Sequence, residues 1–175
     1  MIEVVRKLLV RHGRAGLLID TNLLLLYFIG RFAPDLITRF KRTDVFVPDD
    51  LKLLELIVKK FPKLWTTPAI LAEVNSFSRQ LGEPLRTEYF KKFRTEISLL
   101  DEKYVPSVDA AGEKTFEKFG LTDAGIMMLA RTPYLVLTGD FPLYRYLDSH
   151  GIDVINFNQL RPYGWSWLMS GSTRV

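Results

Sequence analysis

Short apolar runs alternate along the chain with longer segments in which apolar residues recur every three or four positions. The first pattern is typical of buried strands and the second of amphipathic helices. The apolar runs predict strands at residues 16–20, 64–66, 133–140 and 152–157. The helical pattern, with its Thr, Pro and Gly boundary residues, predicts helices at residues 3–12, 22–32, 34–42, 48–61, 67–82, 86–101, 107–119, 122–131 and 141–151.

Strands separated by helices predict a parallel sheet that is covered on both faces. With right-handed crossovers, this is an α/β fold, a three-layer α/β/α sandwich around a central parallel sheet of about four to five strands. We expect residues 1–15 to form an N-terminal helical extension, residues 16–162 to form the α/β domain, and residues 163–175 to form a frayed C-terminal tail.

The chain of 175 residues contains no cysteine and only two histidines. Disulfides, thiolate zinc sites and cysteine nucleophiles are therefore excluded, and a histidine-built metal site lacks ligands. A metal centre in this chain would have to use carboxylates, which suit Mg²⁺ or Mn²⁺.

Charge is unevenly distributed. Residues 1–94 contain 17 Lys and Arg against 10 Asp and Glu (+7), whereas residues 95–175 contain 7 against 10 (−3). This asymmetry suits a polyanion-binding surface beside a carboxylate site, although the charge alone favours random scatter on an ordinary protein surface. Asp20 and Asn22 interrupt the first long apolar run, and LLLLYFI is too short to span a bilayer. We therefore expect no membrane partner and, by default, a cytoplasmic location.

Four acidic residues occupy positions where a parallel sheet gathers its ligands, just beyond the carboxyl ends of the strands. Asp20 follows the first strand and Asp140 follows LVLTG, while Glu73 lies on the apolar stripe of its helix and Asp123 in the first turn of another. Three of these acids also have a simpler structural explanation. Asp123 could complement a helix dipole, Glu73 could reach water at the rim, and Asp140 could make an Asx turn. Asp20 has no evident packing role in the sequence.

Taken together, four clustered carboxylates would repel one another and raise one another's pKa values. A divalent cation removes that conflict, and carboxylates with water suit Mg²⁺ or Mn²⁺. The sequence therefore predicts that Asp20, Glu73, Asp123 and Asp140 are metal ligands.

The segments IDTN, AEV, LTDAGIMMLA and LTGDFPLYRYLDSHGIDVINF resemble, in this order, the motifs of the PIN-domain family of metal-dependent ribonucleases. The resemblance extends from about residue 16 to residue 160. It implies a PIN-like domain and an endoribonuclease that hydrolyses RNA phosphodiester bonds with Mg- or Mn-activated water and one or two ions. It further implies that the four acids form the catalytic, metal-binding quartet and that Asn22 and Thr138 orient ligands or water beside it.

The same family includes the VapC-type toxins of toxin–antitoxin pairs, so the resemblance leaves open an antitoxin protein partner and a homodimer. This chain is longer than those compact toxins, which weakens the toxin assignment more than the nuclease assignment.

RNA is the partner that the basic residues suggest. The segment RTEYFKKFR interleaves cations with aromatic side chains, a combination that suits phosphate contacts and base stacking. The same spacing also fits an ordinary amphipathic helix with Tyr89, Phe90 and Phe93 in the core, which we favour for the aromatics. The candidate RNA-binding residues are Arg79, Arg86, Lys91, Lys92 and Arg94.

Two other functions remain open at this point. A non-catalytic nucleic-acid or protein-binding module could retain the fold, but it would have no need of all four acids. A phosphatase of the haloacid-dehalogenase type also begins with an Asp at a strand end, but it normally has a second Asp two residues later, where this chain has Asn22.

Overall fold

The computed structural model describes residues 1–131 and 133–169. Within these residues the chain is an α/β protein with one sheet of five parallel strands, in the order β3–β2–β1–β4–β5. The strands are β1 (Leu17–Ile19), β2 (Leu64–Thr66), β3 (Asp101–Glu102), β4 (Leu135–Thr138) and β5 (Val154–Asn156).

Helices cover this sheet and make the fold a three-layer α/β/α sandwich. The described helices are α1 (Ile2–Arg11), α2 (Thr21–Phe32), α3 (Pro48–Val58), α4 (Pro68–Ser78), α5 (Leu85–Ile97), α6 (Ser107–Ala111), α7 (Phe116–Leu129), α8 (Phe141–Ser149), α9 (Phe157–Leu160) and α10 (Ser166–Met169). None of them combines the length and the apolarity that a membrane crossing requires.

The strand order places a switch point between β1 and β4. These two strands pair in parallel, with Ile19 opposite Leu137, so their carboxyl ends lie side by side. From β1 the chain continues towards β2 and from β4 towards β5, in opposite directions across the sheet. Right-handed crossovers therefore place α2 and α8 on opposite faces and leave a crevice between them.

The core is continuous across the sheet. All residues of β1, β4 and β5 are buried, as expected for strands covered on both faces. Helix α1 joins this core through Val5 and Leu9, and α10 joins it through Trp167 and Leu168. The N-terminal helix thus packs onto the α/β domain.

Several predicted elements differ from the structure. The helix predicted at residues 34–42 is wrong: only Pro34–Leu36 form a 3₁₀ turn. Residues 37–42 form turns instead. The buried Thr43 hydroxyl stabilises these turns, because it donates to the Ile37 and Phe40 carbonyls at 2.9 and 3.3 Å. The helix at 86–101 ends at Ile97, and its last residue belongs instead to β3. The helix at 107–119 breaks at residues 112–115.

The predicted frayed tail is also wrong in part. Ser166–Met169 are helical, and the tail begins against the core because two apolar side chains of α10 are buried there. The remainder of that prediction, residues 170–175, lies outside the described residues.

Candidate active site

Four carboxylates line a single cleft at the carboxyl edge of the sheet. Asp20 and Asp140 directly follow the neighbouring strands β1 and β4, and the contact between α4 and α7 brings Glu73 and Asp123 to the same place. The cleft has a volume of about 230 Å³. Its other lining residues are Thr21, Asn22, Phe77, Phe119, Gly120, Leu121 and Thr122.

Asp20 has a structural role that the sequence does not reveal. It is the N-cap of α2, where its Oδ1 accepts the Leu23 N–H at 2.9 Å. Its Oδ2 accepts the Thr138 hydroxyl at 2.5 Å and the Gly139 N–H at 2.7 Å. The side chain is buried, and burial raises the pKa of Asp20 above its ordinary value, although these hydrogen bonds oppose the rise. Asp20 therefore joins the ends of β1 and β4, besides lining the cleft.

Thr138 connects two of the acids. Its fully buried hydroxyl donates to Asp20 and accepts the Asp140 N–H at 2.9 Å. Asp140 in turn caps α8, because its Oδ1 accepts the Leu143 N–H at 2.7 Å. This is a helix cap rather than the Asx turn that sequence reasoning offered as the simpler explanation of Asp140, because the bound N–H lies three residues on and not two. Asp140 lines the cleft as well.

Glu73 is oriented by a residue that sequence reasoning missed. The Thr21 hydroxyl donates to Glu73 Oε2 at 2.7 Å. Thr21 stands beside Asp20 in the IDTN segment, and as the first residue of α2 it faces the cleft that Asp20 enters. Asn22 is exposed and also lines the cleft.

Asp123 lies one turn after a break in α7. Gly120 interrupts the helix with φ 76° and ψ −175°, a conformation available essentially only to glycine. The predicted restart of the helix after Gly120 is therefore correct. Burial and, after it, the charges of Asp140, Asp20 and Glu73 together raise the pKa of Asp123 to about 7. The four acids thus share one electrostatic environment.

The donor set suits a hard divalent cation, because all four side chains are carboxylates and their mutual repulsion favours positive charge between them. In the described part of the chain, no group of three or more histidine, aspartate or glutamate side chains already stands in a metal-holding arrangement.

Four of the five candidate RNA-binding residues lie together. Arg79, Arg86, Lys91 and Arg94 line an open groove between α4 and α5. Lys92 does not: its ammonium group binds the Arg31 carbonyl on the other side of α5. Tyr89 and Phe93 are buried in the core as expected, whereas Phe90 is only partly buried and lines the groove.

Comparison of this chain with protein-family models, with curated proteins and with solved structures found no match. The resemblance to the PIN-domain family therefore rests on its four sequence motifs.

Proposed function

We propose that the protein is a Mg²⁺- or Mn²⁺-dependent endoribonuclease that hydrolyses RNA phosphodiester bonds, as its PIN-like motifs imply. One observation carries this proposal: four carboxylates from four separate elements line one cleft at the switch point of a parallel sheet. Ligands of such sheets bind at this position. Four acids alone would repel a phosphate, so a substrate with phosphate groups requires a cation between them.

The side-chain hydrogen bonds divide the carboxylates by role. Both oxygens of Asp20 accept protein donors, so we assign Asp20 mainly to supplying charge and holding the strand ends together. Asp140 and Glu73 each use one oxygen in a protein hydrogen bond, which leaves Asp140 Oδ2 and Glu73 Oε1 for a cation or its water. When bound, such an ion supplies Lewis-acid stabilisation of phosphate charge and a water of lowered pKa.

The charge of Asp123 depends on what occupies the cleft. Its pKa of about 7 means that it is partly protonated near neutral pH, and a cation nearby would favour its charged form. Three of the acids are positioned by neighbouring donors, so the cleft is largely pre-arranged before anything binds.

The test is cleavage of single-stranded and structured RNA in Mg²⁺, Mn²⁺ or EDTA, with Asp123→Asn beside the wild type. No side-chain hydrogen bond of Asp123 is found among the described residues, so this isosteric change removes charge without breaking a contact. Asp44→Asn is the matched control, since Asp44 is exposed on a turn. We expect metal-dependent cleavage that is lost in Asp123→Asn and kept in Asp44→Asn. Cleavage that survives in EDTA, or in Asp123→Asn at the wild-type rate, would refute the proposal.

A non-catalytic RNA-binding module is the second candidate. It is favoured by the basic groove, which binds polyanions by charge whether or not the acids act. RNA binding without cleavage under any metal condition would select this candidate. Release of inorganic phosphate from small phosphate esters would instead indicate a phosphatase.

A further inference from the structure

The outer edge of β5 borders a cavity of about 260 Å³ that is also lined by α1, α8 and α9. Within the described residues, β5 is the last strand of the sheet and pairs with β4 alone. An edge strand presents unpaired peptide groups, and proteins commonly protect such edges with charged side chains. The opposite edge has this protection, because β3 consists of two acidic residues, whereas β5 (Val154–Asn156) carries no charge.

Val154 directs its peptide groups away from the sheet. The Val136 N–H donates to the Asp153 carbonyl at 3.5 Å, so the peptide groups of Asp153 and Ile155 face β4. Successive residues of a parallel strand address opposite neighbours, so the N–H and C=O of Val154 and the N–H of Asn156 face outward, where both residues line the cavity. No hydrogen bond to these outward groups is found among the described residues. Because Val154 is only 7% exposed, its unpaired peptide groups favour an occupant that supplies partners.

Apolar side chains and one unpaired carboxylate line this cavity. Val4, Val5 and Leu8 contribute an apolar wall from α1. Tyr144 and Asp148, about one turn apart on α8, contribute another. Asp148 is exposed, and its carboxylate has no hydrogen bond or ion pair with any described residue. The cavity is therefore apolar with a negative charge at its mouth.

The second acid of the cavity is already paired. Asp153 Oδ2 lies 2.9 Å from Arg11 Nη1 and 2.7 Å from His12 Nε2, both at the C-terminal end of α1. Asp148 is therefore the charge that remains for a ligand, and it favours a cationic group such as an ammonium or a guanidinium.

The size of the cavity and the orientation of β5 together indicate a peptide. A volume of about 260 Å³ lies below the range of about 300–1,000 Å³ that is usual for pockets enclosing a whole small molecule. It suits one or two side chains of a ligand whose backbone stays at the mouth. An extended peptide fits, because its N–H and C=O groups recur with the spacing of a strand and its alternate side chains point to one side.

We propose that the outer edge of β5 binds an extended segment of a partner protein as a sixth strand of the sheet. The segment hydrogen-bonds to the outward peptide groups of β5, buries an apolar side chain in the cavity and places a Lys or Arg beside Asp148. This inference goes beyond the proposed nuclease function and does not depend on it, because the cavity shares no lining residue with the acidic cleft.

The test selects peptides without knowledge of the natural partner. A phage-displayed library of random peptides is selected on the full chain in EDTA, and the enriched sequences are synthesised with a fluorescent label. We expect these sequences to combine apolar residues with Lys or Arg. They should bind Asp148→Asn about two- to fivefold more weakly than the wild type, as loss of one exposed ion pair predicts. Asp44→Asn is the matched control at another exposed acid and should bind them unchanged.

Amide hydrogen exchange distinguishes strand addition from other modes of peptide binding. The bound peptide should slow exchange of the Val154 or Asn156 N–H at least about tenfold, because either group gains a hydrogen-bond partner. Methylation of the peptide nitrogens at alternate residues is the matched chemical control. One set of alternate positions should abolish binding and the other should be tolerated, since a strand donates to its neighbour from every second residue.

Three results would overturn the inference. The first is that no sequence is enriched on the wild type, and the second is that the enriched peptides leave both amides unprotected. The third is protection of the Val154 amide that rises with the concentration of the chain alone, because the occupant would then be a second copy rather than a partner protein. None of these measurements involves RNA or metal, so this inference and the nuclease proposal fail separately.

Discussion

Removal of the Asp123 charge should stabilise the metal-free protein at alkaline pH and not at acidic pH. The carboxyl has an ordinary pKa of 3.8 and a folded-state pKa of about 7. Because the folded chain holds this proton more tightly than the unfolded chain, the stability that protonation contributes is full below pH 3.8. It is lost as pH rises through about 7. At alkaline pH the folded protein must carry a fourth negative charge in the cleft, and Asp123→Asn avoids that charge.

The size of the effect follows from the same two values. At about 1.4 kcal/mol per pKa unit, a rise from 3.8 to about 7 sets an upper limit of about 4 kcal/mol. Asp123 is partly exposed, so water and salt screen its neighbours, and we expect about 2 kcal/mol. The pKa of Asp20 is also raised, but Asp20 is present in both proteins, so its titration largely cancels in the comparison.

The assay is urea unfolding in EDTA at about pH 3.5 and about pH 8, monitored by tryptophan fluorescence. Asp123→Asn should match the wild type at the lower pH and exceed it by about 2 kcal/mol at the higher pH. Asp44→Asn should show no such pH-dependent difference. If Asp123→Asn and the wild type differ by the same amount at both values, the four acids do not repel one another as described.

Two further substitutions test the scaffold of the cleft. Thr138→Val removes a buried hydroxyl that both donates and accepts, so we expect a loss of about 2–3 kcal/mol in unfolding free energy. Thr66→Val is its control at the end of β2, since the buried Thr66 hydroxyl has no hydrogen-bond partner among the described residues, and it should be neutral or stabilising. Gly120→Ala should cost about 1–3 kcal/mol, because φ is 76° there while nothing would contact the added Cβ. Gly112→Ala, at φ −77°, should cost much less. Equal effects within either pair, measured by urea unfolding, would contradict the assigned roles.

The strands that carry the site were predictable because they are apolar throughout. Leu17–Ile19 and Leu135–Thr138 are buried on both faces, and such strands stand out as continuous hydrophobic runs. The edge strand Asp101–Glu102 has no such signal. It consists of two acidic residues, and backbone pairing with β2 holds it, including the Lys103 N–H bound to the Thr66 carbonyl at 2.9 Å. The local sequence pattern around residues 101–102 gives no information about this pairing with a distant strand.

That the four acids lie together could be predicted from the sheet topology, but their individual hydrogen bonds could not. Neighbouring parallel strands bring Asp20 and Asp140 together, as strand-end positions predict. Which hydrogen bonds each oxygen makes depends on side-chain rotamers and on Thr138, which lies 118 residues from Asp20 in the sequence. Asp20→Asn would remove one of the four charges, but it also changes a side chain whose two oxygens accept protein hydrogen bonds. In the structure, an amide there would turn a donor towards the Thr138 hydroxyl and Gly139 N–H, so this variant should also unfold more easily.

The positions of the basic residues could also be predicted only in part from the sequence. Arg86, Lys91 and Arg94 stand at positions i, i+5 and i+8 of α5, which the turn of a helix brings to one side. Lys92 is one residue further than Lys91 and lies about 100° around the axis. Helix geometry alone therefore separates it from the groove, and its contact with the Arg31 carbonyl agrees.

The central claim is that the four carboxylates hold a divalent cation, and calorimetric titration with Mn²⁺ tests it without knowledge of the RNA target. We predict saturable binding to the wild type, unchanged binding to Asp44→Asn, and binding at least about tenfold weaker to both Asp123→Asn and Glu73→Gln. The account is contradicted if the wild type binds no Mn²⁺ at millimolar concentration, or if the two cleft variants bind it as tightly as the wild type.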